Sequence, residues 1–554
     1  MIIPWSSSKR GLGSDATMVQ PEHDIALQDT DRLQGRAALV NNVKAAVALA
    51  GAVRSTLGPR GLDKMLVDSD GSSLVTNDGV TVLETAQIEH PTARLLIAAS
   101  ASQDKVARDG TTTTVVLTAE LLQNALEMVR SGIHPSIVIN GYSIAQKECL
   151  DELESMSKEA SSPEEGRSVV STSLAGKIGE SLAEHLTGLA IEAAEVLSDE
   201  EGGDDLERLR VKRLPVSGGL STDSELVNGL VIAKTRLDKI TPASSEGGRV
   251  AVIDGGLENP KLEIDAEIEV RSAGVLQGFH KRTMENLQNQ VDHLSSLGVD
   301  LLVVRDGIAD EAASLLREAG ITAYRRLERN DLEMASRITG SQIVRDVKGL
   351  EGDDIGSYTR RSEIVTGGVT HTRIDGEEGG AMTVMIRGSS PQIREECERA
   401  FDDALGVAFR LTRDSRMLPG GGATQTHLAR HLRIFAPTNK GREQIAIEGY
   451  AAALEVVPRT LAENAGLSPI DEVLELSASQ ASDPKNGSWI GLNAWTGERT
   501  RMDKLGVLDP LFVVSNSISG STEAAISVLR INDVLWAKQD PTTPDWKDED
   551  DQED

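Results

Sequence analysis

DGTTTTVVLTAELLQNALEMVRSGIHPSIVINGY (residues 109–142) contains a turn, two helices and the break between them. Thr112 to Arg130 reads as a helix closed by Gly132 and the His134-Pro135 pair, and residues 136–160 read as the next helix. The start of this stretch is the informative part. Asp109-Gly110-Thr111-Thr112-Thr113-Thr114 puts hydroxyls and free backbone N–H groups at a helix N-terminus, where the helix dipole favours an anion such as phosphate. The preceding Asp109 is a hard oxygen ligand that can hold Mg²⁺. An aspartate N-cap followed by β-branched filler would read the same way. Four consecutive threonines are poor helix formers, however, so a chemical reason for them is reasonable.

Moving outward, Gln34 to Val53 repeats small and apolar residues (Ala38, Val43, Ala46, Val47, Ala50) at three- and four-residue spacing, which predicts a helix. It ends at Gly58-Pro59. A hairpin is expected over 68–79 and a helix from about Pro91. The composition around 158–170 and 199–205 predicts surface loops. Between about 222 and 375 short β-type runs (Leu230–Ile232, Val250–Ile253, Leu301–Val304, Ile321–Tyr324) alternate with helices, the pattern of a parallel α/β sheet. Helices return at 391–413, 421–433, 440–465 and 468–480, with strand-like segments at 488–498 and 511–518 and a last helix at 520–530. Helical flanks around an α/β centre predict a nested chain, the centre inserted into a unit made by both ends.

With 554 residues the chain exceeds a single core, so two to four domains are expected. Aromatics are only 3%, so the cores must rest on Ala, Val, Leu and Ile. The formal net charge of −30 repels nucleic-acid phosphates and argues against nucleic-acid binding. Together with an excess of Arg over Lys, it suits a salt-rich cytosol in which self-repulsion is screened. Cys149 and Cys397 are the two cysteines and do not make a disulfide framework, no four-ligand metal spacing appears, and no run is apolar enough for a membrane span. A cytoplasmic protein is expected.

Other segments carry chemistry only weakly when taken singly. Thr56-Leu57-Gly58-Pro59-Arg60-Gly61 ends a helix in a turn whose glycines let backbone approach a ligand, or it is an ordinary helix–turn. It is not a Walker A loop, since Lys64 lacks the preceding Gly and following Ser/Thr. Thr76-Asn77-Asp78-Gly79 would pass as a hairpin turn. Pro419-Gly420-Gly421-Gly422-Ala423 precedes a helix and either admits a nucleoside or is linker. Asp402-Asp403, flanked by Phe401, Ala404, Leu405 and Ala408, sends one acid toward an interface, where an aspartate could polarise the water that attacks a γ-phosphate.

The joint order of these segments resembles the group II chaperonins, the thermosome and the eukaryotic cytosolic chaperonin. The matching pieces are TLGPRGLDKML (56–66), TNDGVTVLE (76–84), IEHPTARLL (88–96), DGTTTT (109–114), GIHPSIVINGY (132–142), ECERAFDDAL (396–405), LPGGGAT (418–424), PRTLAENAGLSPID (458–471) and GVLDP (506–510). TSLAGK (172–177), SELVNGLVI (224–232), LEIDAEI (262–268) and YRRLERNDLEMASRITG (324–340) match more loosely. The resemblance covers about residues 30–535. It implies a multi-domain fold: a mainly helical equatorial domain (32–151 and 415–537), a small α/β intermediate domain (152–221 and 379–414) and an α/β apical domain (222–378) in the middle of the chain; outside it, the polar start (1–31) and acidic end (538–554) read as disordered tails from their composition. The resemblance also implies an ATP hydrolase coupled to protein folding, using ATP/ADP and Mg²⁺, in two back-to-back rings of about eight copies or paralogues. Unfolded client proteins and prefoldin are the implied partners.

Residue by residue, Thr56, Leu57, Gly58 and Pro59 match the first phosphate segment and Asp109 the Mg²⁺ ligand. Gly110, Thr111, Thr112 and Thr113 match the phosphate cradle. Asp403 matches the acid that activates water and Asp78 a second acid beside it. Gly421 and Gly422 match the loop at the nucleoside, and Asp509 the ribose contact. A stripe of Leu276, Met284, Leu287, Val291 and Leu294 reads mostly as core, with a lid helix expected near 272–290. The sequence departs from the pattern at Arg108 (usually Gly), Asp402 (His), Gln425 (Glu), Val514 (Lys) and Asn532 (Asp). Those departures leave a structural or holdase ring subunit with weak ATPase activity as the alternative, favoured by Arg108 alone. A stand-alone small-molecule kinase would need a Walker A loop and a substrate site.

Overall fold

The computed structural model describes residues 30–67, 71, 73–86, 88, 90–198, 209–258, 273–377 and 381–537, with side chains outside 30–33, 273–280 and 536–537. The expected tails lie outside these residues, apart from Thr30 and Asp31 at the start of the first strand.

Both flanks of the chain build one helical core. Leu39, Val43, Leu96, Leu121, Leu122, Tyr142 and Leu153 from the first flank pack with Leu428, Ile447, Tyr450, Leu454, Ile518 and Val528 from the second. Fully burying a leucine stabilises by about 1.5–3 kcal/mol, so Leu121 and Leu122 alone commit the Thr111–Arg130 helix to this core. The Tyr142 and Tyr450 rings meet edge to face at 5.4 Å. Tyr142 donates its hydroxyl to Leu121 O, and Tyr450 shares a hydrogen bond with Thr522 Oγ1, so two buried phenols in an aromatic-poor chain tie the flanks together with their polar ends satisfied. The first and last described strands, Thr30–Gln34 and Asp533–Ala537, pair antiparallel and close the unit.

A second core lies between this unit and the centre. The Glu180–Ser198 and Pro391–Leu411 helices pack through Leu186, Ala190, Ala194, Phe401, Ala404 and Val407. Beside them Met382–Gly388 pairs parallel with Val211–Ser217 and antiparallel with Glu225–Asn228. The centre holds the expected parallel sheet, in the order Thr322–Tyr324, Leu301–Val304, Gly248–Ile253, Ile343–Val344, with Gly356–Tyr358 antiparallel beside Gly248–Ile253. A four-stranded antiparallel sheet around Arg360–Thr366 and Val369–Asp375 backs it. Cys149 lies in the first core and Cys397 in the second, both as free thiols.

Leu230–Ile232, read with the runs of the parallel sheet, instead pairs antiparallel with Val369–Asp375, and three further expectations need correction. Residues 511–518 are not strand: Leu511–Leu529 is one helix whose β-branched start is buried against the first core. Pro163–Ser173, read as loop, is a helix with Ser162 capping Glu165 N and Pro163 in its first turn. The 440–465 helix is two, Glu443–Leu454 and Val456–Asn464. In the centre, Leu287, Val291 and Leu294 are core residues of the Ala273–Ser296 helix. The expected lid start and the Leu276 side chain lie outside the described residues.

Candidate functional site

Between the first and second cores runs a cleft of about 1000 Å³. Its floor is the N-terminus of the Thr111–Arg130 helix, capped by Gly110 in the left-handed conformation (φ 80°) with no side chain on the first-turn amides. Those amides have no partner within the helix, so they are free to serve an anion in the cleft. Gly110 is pinned from behind: Gln103 Nε2 donates to Asp109 O (2.8 Å) and to Val513 O (3.1 Å). A Cβ on Gly110 would come 3.1 Å from Gln103 Nε2 and 3.1 Å from Val513 Cγ1.

The turn after the Gly35–Val53 helix forms the adjoining wall. Thr56 Oγ1 donates to Val53 O, and Asn464 Nδ2 donates to Arg54 O and Leu57 O, holding the Leu57-Gly58-Pro59 backbone from the other flank of the chain. Asp78 caps the Gly79–Thr85 helix through Oδ2, which accepts from Thr81 N and Thr81 Oγ1. Its Oδ1 accepts from Thr111 Oγ1 at 3.4 Å. Gly79 lies so near Thr112 that a Cβ would fall 3.3 Å from the Thr112 backbone N. The far end holds Gly421 (φ 60°), Gly422 (φ 71°) and Asp509. Asp509 stands on a strand paired to the one leading into the glycine turn.

The second core supplies the facing wall through residues 171–180. Gly176 (φ 84°) crosses the phosphate-type turn backbone to backbone, its would-be Cβ 2.9 Å from Pro59 Cα, so only glycine allows that approach. The next residue, Lys177, reaches into the cleft. Its Nζ donates to Asp403 Oδ2 at 2.7 Å and to Asp109 Oδ1 at 3.3 Å, with a fifth of its side chain exposed. One ammonium therefore links an acid of each core.

The electrostatics follow from that crowding. Burial alone would lower the Lys177 ammonium, but the Asp403 and Asp109 carboxylates outweigh it and hold the ammonium above its ordinary value. Burial pushes the Asp403 carboxyl up to about 7, with Lys177 pulling it back and Asp78 adding to the rise. The two directions agree: several carboxylates keep the proton on one lysine, and the most buried of them titrates near neutrality. Burial, helped by Asp109, likewise pushes Asp509 up to about 7.

Of the sequence-predicted residues, Thr56, Leu57, Gly58, Pro59, Asp78, Asp109, Gly110, Thr111, Thr112, Thr113, Gly421, Gly422 and Asp509 all line this cleft. Asp403 joins it through Lys177. Lys177, Asn464 and Gln103 were missed as site residues. Lys177 and Asn464 sit inside matching segments, yet nothing local marks their roles. Among the departures, Asp402 accepts from Arg213 Nε at 2.5 Å, an ion pair within the second core that leaves Asp403 to face the cleft. Gln425 and Val514 line the cleft, and Asn532 O accepts from Gly35 N beside the paired terminal strands. Arg108 does not enter the cleft. Its side chain is 3% exposed and lies against Gly406 of the Pro391–Leu411 helix, so it does not extend the phosphate cradle.

Among the described residues no helix is long and apolar enough to cross a membrane. A profile of the TCP-1/cpn60 chaperonin family matches residues 49–539. Thermosome subunit 1 of Haloferax volcanii is 38% identical over 514 residues, covering 92% of this chain and 90% of that one. A thermosome subunit of Pyrococcus horikoshii is 37% identical over 521 residues (93% and 94%), and thermosome subunit alpha of Halobacterium salinarum 38% over 517 (93% and 91%).

Proposed function

The chain belongs to the TCP-1/cpn60 chaperonin family, and we propose that it is an ATP-hydrolysing subunit of a double-ring chaperonin that closes over unfolded clients. The observation that carries the hydrolytic part is the Lys177 bridge between Asp109 and Asp403 across the cleft. The donor set fits Mg²⁺-ATP. The uncapped amides of Thr111–Thr113 and the Leu57–Pro59 turn would take the phosphates, Asp109 would hold the Mg²⁺, and the Gly421-Gly422 turn with Asp509 would take the nucleoside. When bound, Mg²⁺-ATP supplies the γ-phosphoryl group and neutralises part of the phosphate charge. Asp403 Oδ2 is held by Lys177, which leaves Oδ1 to accept a proton from an attacking water. Asp78, fixed by its capping bonds, sits where it can orient that water. Because Asp403 and Lys177 stand on the second core, hydrolysis requires that core to be seated on the first, which couples chemistry to closure.

On this reading the first core is the equatorial domain (32–151 with 415–537), the second the intermediate domain (152–221 with 379–414), and the centre (222–378) the apical domain that binds clients under a lid. Ring formation with copies or paralogues has support in the exposed Met65 and Val67 on the Lys64–Val67 strand, part of a lone two-stranded hairpin. Prefoldin as a partner and a cytoplasmic location belong to the same reading. The weak-ATPase alternative rests on Arg108: its side chain lies on Gly406 and adds no cation to the cleft, while its left-handed backbone sits immediately before Asp109.

The test is Mg²⁺-ATP turnover and native mass in molar salt, where the screening length falls to about 3 Å and the −30 charge no longer opposes assembly. Rings that hydrolyse ATP are expected. A folded chain that neither assembles nor turns over ATP would overturn the proposal.

A further inference from the structure

Arg108 is one of two described non-glycine residues with positive φ, at φ 60°. It caps the Pro91–Ala107 helix by donating its N–H to Asp104 O at 2.9 Å, immediately before Asp109. A β-substituted residue adopts this backbone only where its surroundings over-determine it. Here they do so through the side chain, which is buried to 3% exposure on the second core. The point of contact is Gly406, in the middle of the Pro391–Leu411 helix and three residues beyond Asp403. A Cβ placed on Gly406 would clash with Arg108 Cγ and fall 2.7 Å from its Cβ and 2.9 Å from its Cδ. One turn further on, Arg410 donates to Lys105 O at 3.3 Å, so the same helix face is held to the end of the Pro91–Ala107 helix at two successive turns. Glycine is a poor choice for a helix interior, and no turn or ligand at 406 requires it. The close approach of Arg108 does.

We propose that Arg108 is a positioning residue: its aliphatic stem fills the hollow at Gly406 and seats the helix carrying Asp403 on the phosphate turn carrying Asp109. The proposal deepens the hydrolytic reading and rests on it only for its kinetic test. Arg108 lies outside the cleft lining, buried against Gly406. It sets how often Asp403 arrives, so it governs kcat and leaves the KM for ATP in place. Alanine is the better helix former, so Gly406→Ala is neutral or stabilising unless the hollow is used.

Steady-state ATP hydrolysis of the assembled protein is to be measured for Gly406→Ala, Arg108→Gly, Arg108→Lys and the Gly406→Ala/Arg108→Gly pair. Hydrogen exchange over 104–110 and 400–410 without nucleotide is followed alongside. Gly406→Ala is expected to lower kcat tenfold or more at unchanged KM and to speed exchange in both segments. Arg108→Gly lowers kcat about fivefold, and Arg108→Lys, which keeps the stem through Cδ, stays within twofold of the parent. The double variant regains at least the Arg108→Gly rate. Parent-like turnover and exchange in Gly406→Ala, or a double variant no better than Gly406→Ala, would overturn the lock. Should Gly406→Ala not fold, an Arg108→Gly rate equal to that of the parent overturns it. If the parent itself has no ATPase activity but the exchange pattern holds, the lock stands and the hydrolytic reading falls.

Discussion

The two walls of the cleft are made differently. The first-core wall is largely backbone (left-handed glycines, an uncapped helix N-terminus and a turn whose carbonyls are tied down by Asn464), with Asp78, Asp109 and Asp509 set along it. Each of those groups is held in place before any ligand arrives. The second-core wall contributes two charged side chains, Lys177 and Asp403, whose useful position depends on how that whole core sits. On the proposed reading, binding falls to the wall already held in place and reaction to the wall that has to be seated on it. A preorganised anion site gains affinity because little ordering is left to do on binding. A reacting group placed on a separate body gains control instead.

The sharpest way to break the comparison is to remove one charged group from each wall. Asp403→Ala should lower kcat by about 10²-fold or more, the usual scale for a positioned acid or base, with nucleotide affinity nearly unchanged. Isothermal titration with Mg²⁺-ATP beside steady-state kinetics gives both numbers. Asp109→Ala should act on affinity itself, weakening Mg²⁺-ATP binding about tenfold or more, which corresponds to about 1.4 kcal/mol. Equal loss of binding in both variants would erase the division between the walls.

A smaller effect sharpens it. Asp403 must be ionised to accept a proton, and burial has pushed its carboxyl up to about 7. As a function of pH, kcat/KM, which reports the free enzyme, should therefore rise through pH 7 and lie about tenfold below its plateau at pH 6. In Asp403→Asn the residual rate should lose that limb. A profile flat between pH 6 and 8 in the parent would place the proton acceptor elsewhere.

The same contrast explains what was legible beforehand. The backbone wall leaves strong local marks, because a left-handed turn demands glycine and an open helix start favours hydroxyl residues. Gly58, Gly110, Gly421 and Gly422 stand out for that reason. The charged wall leaves almost none. Lys177 is one lysine in a Ser- and Gly-rich stretch, and its meaning lies in two aspartates 68 and 226 positions away. The Pro163–Ser173 helix was hidden by loop-like composition, although Ser162, Pro163 and the acidic first turn are start signals. Residues 511–518 misled by β-branched content. Burial of Leu511, Val513, Val514 and Ile518 along one helix overrode propensity. In the centre the parallel sheet announced itself through four-residue apolar runs, buried on both faces.

The smallest effect tests whether the rigid wall also carries a cost for function. Burial, with Asp109 nearby, pushes the Asp509 carboxyl up to about 7 from an ordinary 3.8. A carboxyl whose folded value is raised binds more protons in the folded state than in the unfolded one between those two values. Its ionisation therefore subtracts stability, progressively as pH rises from about 4 and fully above 7. Asp509→Asn removes that penalty while preserving shape, so the ligand-free variant should be more stable than the parent at pH 8. The shift implies at most about 4 kcal/mol at 1.36 kcal/mol per unit, and a half-buried carboxyl lining the cleft should realise about 1–2 kcal/mol of it. In a chain this long that is a rise of only a few degrees or less in thermal midpoint. The gain should shrink at pH 5.5, where the parent's Asp509 is already mostly protonated. With Mg²⁺-ATP present the order should reverse, since the asparagine loses the charged acceptor proposed for the ribose. Calorimetry at the two pH values, with and without nucleotide, measures all four cases. A variant less stable than the parent at pH 8 without ligand would show that Asp509 contributes to the folded wall rather than being held there at its expense.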